Sequence, residues 1–160
     1  MTEGIKYHSI PLPDQLPERE REDAMGAYLT MFAAVAVALP LPIINLIAAI
    51  VYYYTNKNKS PFIHFHSLQS LLAQIPTTLM NWGVLYWGLK IWLFKELALD
   101  QDFWIYLGIV VLFNISYFTF SIVAAMKARK GKMYYFLGLG IYCRDVVFAS
   151  DNTTNYNRGY

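Results

Sequence analysis

Charged residues disappear from this chain over long intervals, and those intervals predict its elements. From Gly26 to Asn56 there is none. The run AYLTMFAAVAVALPLPIINLIAAIVYYY exceeds the ~20 apolar residues a helix needs to cross a hydrocarbon core, which predicts a first membrane span over about residues 27–54. Pro40 and Pro42 interrupt the helical hydrogen-bond ladder near its middle and predict a kink there. A second helix is predicted to open at Ser60-Pro61, because serine caps a helix and proline is tolerated in its first turn. Its amphipathic start, PFIHFHSLQ, is expected at the membrane interface, with the crossing over about 66–94 and a bend at Pro76. A third span, 103–126, runs uncharged between Asp100/Asp102 and KARKGK.

The stretch MYYFLGLGIYC is about half a span in length and carries Gly138 and Gly140, so an interfacial segment over 133–146 is expected, with a short fourth span as the alternative. Residues 1–26 read as an acidic, proline-containing arm before a transmembrane domain over 27–148, and residues 149–160 as a disordered polar tail. The expected fold class is all-α: a polytopic helical membrane protein with three transmembrane helices, or four if the closing segment also crosses.

Composition agrees with that reading. The chain of 160 residues is 56% hydrophobic and 17% aromatic with a mean hydropathy of +0.31. Its 15% charged residues fall well short of the roughly 25% of a soluble domain. A net charge of +2 gives no footprint for nucleic acid. Cys143 is the only cysteine, so no internal disulfide or thiolate metal cluster is available. No basic start, short apolar core and small-residue cleavage site mark a secretory signal. Trp82, Tyr86, Trp87 and Trp92 crowd one half of the second helix, as in an aromatic belt.

Basic residues are retained on the cytoplasmic side while acidic ones count for little. Lys57 and Lys59 follow the first span; Lys127, Arg129, Lys130, Lys132 and Arg144 follow the third. Both segments are therefore expected in the cytoplasm, and the acidic arm and the connector with Glu96, Asp100 and Asp102 outside. A bacterial inner membrane is the expected location.

Little in the sequence could carry chemistry. His64 and His66 form an H-x-H pair, but helical positions two apart point about 200° away from each other. With His8 in the arm and no carboxylate nearby, interface or hydrogen-bonding roles outweigh metal binding. No Asp or Glu lies inside a span, so no proton relay or carboxylate pair is expected. Lys90, near the outer end of the second span, is expected to snorkel toward Glu96 or Asp100. No nucleophile–base pair, phosphate loop or dinucleotide fingerprint appears, so no catalytic, metal or cofactor residues are expected.

What recurs is a seam of small and amide-bearing residues at seven-residue spacing. The second span offers Ser67, Ser70, Gln74, Thr77, Asn81 and Gly88; the third Asn114, Ser121 and Ala128; the first Pro42, Asn45, Ala49 and Tyr52. Unpaired amides in lipid are costly, so Asn45, Gln74, Asn81, Asn114 and Ser121 are expected to face protein. They either join the helices into one bundle, or line a polar path, or dock onto partner subunits.

The stretch SPFIHFHSLQSLLAQIPTTLMNWGVLYW resembles the signature of the Tic20-like membrane proteins, which include the small bacterial DUF4870 group; the matching positions are Pro61, Phe62, Phe65, His66 and Gln69. AAMKARKGKMYYF resembles the closing pattern of that group, and the similarity covers roughly residues 28–146. The resemblance implies a helical subunit related to the chloroplast inner-envelope protein-import component, in which four spans with both ends on one side are usual. The expected function is a non-enzymatic subunit of a membrane complex in protein translocation or assembly, with lipids and other membrane subunits as partners and no nucleic acid. The alternative is a small homo-oligomeric transporter or channel.

Overall fold

A computed structural model describes residues 9–33, 42–94 and 99–149. Among these the chain is all-helical, with five α-helices: α1 (Glu18–Leu29), α2 (Pro42–Asn56), α3 (Pro61–Leu89), α4 (Gln101–Arg129) and α5 (Leu139–Phe148). Local chemistry sets the boundaries. Ser60 caps α3 by accepting the Ile63 N–H at 3.3 Å, with Pro61 in the first turn, and Asp100 caps α4 by accepting the Phe103 N–H at 3.0 Å. A wider π-turn over Lys90–Phe94 continues α3. The Lys90 ammonium lies over the rings of Tyr86 and Phe94, 5.8 and 5.2 Å from their centroids. Glu96, one of its expected partners, lies outside the described residues, as do Pro40 and the tail over 150–160.

α3 and α4 form an antiparallel pair. Tyr106 of α4 donates to the Met80 carbonyl of α3 at 2.9 Å, and Trp87 meets the rings of Phe103 and Tyr106. Only α4, among the described residues, is long and apolar enough to cross a membrane by length and composition.

The other helices gather around one end of that pair. α1 packs on α4 and α3 through Ala24, Ala27 and Tyr28, seated against Phe62, Ile63, Ala124, Ala125 and Ala128. The alanines on α4 let α1 approach closely enough to bury a whole tyrosine. α5 lays Cys143, Val147 and Phe148 on Phe65 and Leu68 of α3, while Leu137, Ile141 and Tyr142 stay exposed.

The structure corrects several expectations. The first apolar run is not one kinked span: its described halves, in α1 and α2, lie antiparallel. Tyr52 of α2 donates to the Asp23 carbonyl of α1 at 2.6 Å, and Leu29 and Ala33 share a groove with Ala48 and Val51. The acidic arm is not separate from the helical domain, because α1 runs through residue 26 and buries Ala24. Nor is it across the molecule from the basic loops. Asp23 pairs with Lys59 at 2.9 Å, and Arg129 with Glu18 and Glu22 at 2.9 and 3.0 Å. Exposed pairs of this kind contribute about 0–1 kcal/mol each, so they select which acids meet which bases while the apolar face of α1 supplies the adhesion. The start of α3 packs inside the protein: Phe62, Ile63, Phe65, His66, Leu68 and Gln69 are all buried.

Beyond α4 the chain turns at Gly131, whose φ of +70° belongs to the left-handed region, and a Cβ there would stand 2.9 Å from the Pro13 Cα. Gly138 also has positive φ, +74°, but faces open space. Gly131→Ala should therefore lower stability by more than the roughly 1–2 kcal/mol of left-handed strain that Gly138→Ala carries alone. Thermal unfolding in detergent compares the two, and equal losses would mean that the Pro13 segment is not held against the α4 terminus.

Candidate functional site

The buried polar groups lie along the faces where α3 meets α1 and α4, in three levels. At the basic end, Gln69 is fully buried and its amide is used in full. Nε2 donates to the Tyr28 hydroxyl at 2.8 Å and to the Tyr134 carbonyl at 2.9 Å, while Oε1 accepts the Phe136 N–H at 3.2 Å. The backbone donor on Oε1 fixes which way the amide points. The Tyr28 hydroxyl also shares a hydrogen bond with Nδ1 of His66, 2.9 Å away, while His66 Nε2 has no hydrogen-bond partner among the described residues. The ring instead sits edge-on among aromatics, 4.5 Å from the Phe62 centroid and 5.1 Å from that of Phe65. A Cβ on Gly140, in the first turn of α5, would stand 2.6 Å from the Tyr135 Cα and Cβ and 2.9 Å from Gln69 Oε1, so this position must be a residue without one.

His64 leaves α3 in another direction. Its Nε2 meets the Tyr53 hydroxyl of α2 at 3.2 Å. The two histidines thus serve different neighbours, α2 and α1, as their helical spacing requires.

One level further in, Ser70 donates to the Ala27 carbonyl at 2.7 Å, and Gln74 Nε2 to Thr30 Oγ1 at 2.9 Å. Ser121 of α4 is buried here, and its Oγ, like Gln74 Oε1, has no hydrogen-bond partner among the described residues. At the third level Asn81 and Asn114 face each other. Each donates one amide N–H to the oxygen of the other, at 3.0 and 3.2 Å, and one back to its own helix at 2.8 Å, to the carbonyls of Thr77 and Val110.

Most of the residues singled out from sequence therefore meet protein. Pro61 opens α3 and Phe65 anchors α5, while His66, Gln69, Gln74 and Ser121 line the interior and Asn81 and Asn114 pair. Asn45 is half-buried on α2. Tyr28 and Thr30 were missed, although each is the partner of a seam residue; their signal was the small and apolar positions Ala24, Ala27, Tyr28 and Met31 at helical spacing, hidden by the charges of EREREDAMGAYL. Among the described residues no group of three His, Cys, Asp or Glu side chains could hold a metal ion. What the arrangement does chemically is satisfy buried polar groups across helix interfaces.

Two stability tests follow from this geometry. Asn81→Leu leaves Asn114 without its cross-helix partner and should cost on the order of 1 kcal/mol, as for interhelical hydrogen bonds generally. Gln69→Leu orphans the Tyr134 carbonyl and the Phe136 N–H and leaves the Tyr28 hydroxyl with His66 alone, and should cost roughly 3 kcal/mol or more, at about 1–3 per buried group. Denaturant titration in micelles ranks them, and the reverse order would remove Gln69 as the organising residue.

Residues 20–141 match the model of the MamF/MmsF family, described as the magnetosome magnetite crystal formation protein family. No curated protein and no solved structure matches. The match replaces the Tic20-like and DUF4870 resemblance, which is a different family, and the translocation role implied by it loses its support. That resemblance rested on Pro61, Phe62, Phe65, His66 and Gln69, residue types that a capped helix start with a buried aromatic and amide face requires in any lineage.

Proposed function

The chain belongs to the magnetosome magnetite crystal formation protein family, and from that premise we propose that it is a non-enzymatic membrane-embedded protein of the magnetosome that takes part in forming the magnetite crystal. The observation that carries the membrane half of the reading is the dress of α4. It is uncharged from Phe103 to Met126, yet Trp104, Ile105, Ile109, Leu112, Ile115 and Phe118 stand exposed on it, Leu112 at 67%. Apolar side chains uncovered over such a length need lipid or a protein partner. The far half of α3 is alike, with Leu79, Trp82, Tyr86 and Trp92 outward.

In this placement α4, the helix long and apolar enough to cross, spans the bilayer with α3 paired antiparallel alongside it. Each has 29 residues, about 43 Å at the helical rise, against about 30 Å of hydrocarbon. α1 and α2 form a hairpin entering and leaving at the basic end, and α5 lies at that same end. The concentration of Lys and Arg there assigns it to the cytoplasm. The connector with Asp100 and Asp102 then faces the compartment in which the crystal grows. The Asn81 and Asn114 amides are spent on each other and on their own helices, which favours a packing role for the seam over a pore lining.

Cys143 is buried, and burial pushes its thiol up to about 12, so the native chain is a quiet background for cysteine labelling. Cysteines at Arg19, Asn58 and Lys130 should react with an impermeant maleimide from the cytoplasmic face, and one at Gln101 only from the other; reaction of position 19 from the face of position 101 would refute the hairpin. For the function itself, a strain lacking the protein should build smaller or misshapen crystals seen by electron microscopy while exporting proteins normally. Crystals of unchanged size and shape would dispose of the reading.

A further inference from the structure

Beyond α4 the chain doubles back along the helix it has just left. Arg129 ends α4, Gly131 turns the backbone, and the Lys132 N–H still bonds to the Lys127 carbonyl at 2.9 Å. The Phe136 ring then lies 6.3 Å, between centroids, from that of Phe120, which stands on α4 seven residues before Lys127. Seven helical residues are about 10 Å of axis, so residues 132–136, which belong to no helix, run back beside the uncharged stretch of α4 that ends at Met126. Non-helical backbone at such a depth is tolerated only where its N–H and C=O groups find partners in the protein. Here they find them: Gln69 donates to the Tyr134 carbonyl at 2.9 Å and accepts the Phe136 N–H at 3.2 Å, and the Gly140 N–H donates to the Phe136 carbonyl at 2.9 Å. Met133, Tyr134 and Phe136 pack inward on the core. Leu137, the next residue, is 92% exposed, and Tyr135, Ile141 and Tyr142 are exposed on either side of it in sequence. Arg144 and Asp145, the charges of α5, are paired with each other at 2.8 Å.

From this geometry we propose that residues 132–138 form a re-entrant loop that dips into the cytoplasmic leaflet, with the Leu137 side chain among the lipid acyl chains. The inference rests on the membrane placement proposed above and deepens it. A side chain beside the uncharged flank of a membrane helix meets whatever surrounds that helix, and Phe120, itself 43% exposed, shares those surroundings. In water a leucine so uncovered would gain nothing, whereas in a leaflet its burial is favourable and holds the loop down. Exposed Lys130 and Lys132 stand where the chain enters, at the level of the headgroups. Gln69 acquires a second task in this arrangement: by taking up the polar backbone of the loop from the protein side, it leaves only apolar groups to face the lipid.

The test uses the full chain reconstituted into phosphatidylethanolamine–phosphatidylglycerol vesicles, with a nitroxide on one introduced cysteine at a time, Leu137→Cys, Lys132→Cys or Leu112→Cys, the native thiol being buried. Collision of the label with dissolved oxygen, which concentrates in hydrocarbon, is compared with collision with a neutral nickel chelate, which stays in water. The oxygen-to-nickel ratio should be severalfold higher at position 137 than at position 132 and approach that at position 112 on α4. Equal ratios at 137 and 132, or a label at 137 that neither reagent reaches, overturn the inference, while an oxygen-dominated label at 112 keeps the membrane reading in place. A label at 112 that nickel reaches as freely as at 132 overturns both.

Discussion

Gln69 sits wholly out of solvent with a side-chain amide that must be satisfied from within the chain, and the arrangement of three separate segments follows from it. Its two N–H groups hold the Tyr28 hydroxyl and the Tyr134 carbonyl, and its oxygen holds the Phe136 N–H. An unmade bond at such a site costs more than a made one contributes. The N-terminal helix, the second long helix and the loop before α5 are therefore tied to a single geometry. The chain of hydrogen bonds continues to His66, which ends it among aromatic rings. Ion pairs at the surface could not provide the same definition, because water competes for every one of them.

That junction also explains why the first apolar stretch does not behave as its length suggests. A long uncharged run is compatible with one crossing or with two halves folded side by side, since both hide the same residues from water. The choice is made by partners elsewhere: Tyr28 finds Gln69, Thr30 finds Gln74, and Tyr52 finds Asp23. The first two hold the first half of the run against α3, and the third holds α2 against α1.

Much of the fold could be read from the residues. The uncharged runs marked α3 and α4, Ser60-Pro61 and Asp100 marked their starts, and in the structure Gln74 and Ser121 of the seven-residue seam are buried while Asn81 and Asn114 pair. What stayed hidden was pairing across the chain. Nothing local in EREREDAMGAYL says that its charges will meet Lys59 and Arg129 while its alanines meet those of α4, because charge density masks a buried stripe only a few residues wide. Family identity was misread for a related reason: the residue types that open a buried helix recur wherever that physical problem recurs.

The sealed thiol of Cys143 has a consequence of its own. It packs against Phe65, Val147 and Phe148 with no solvent access, and burial holds it in the protonated form. An exposed thiolate is open to metal capture and to stepwise oxidation. With its single sulfhydryl plugged into an aromatic core, the chain withholds its sulfur from both reactions.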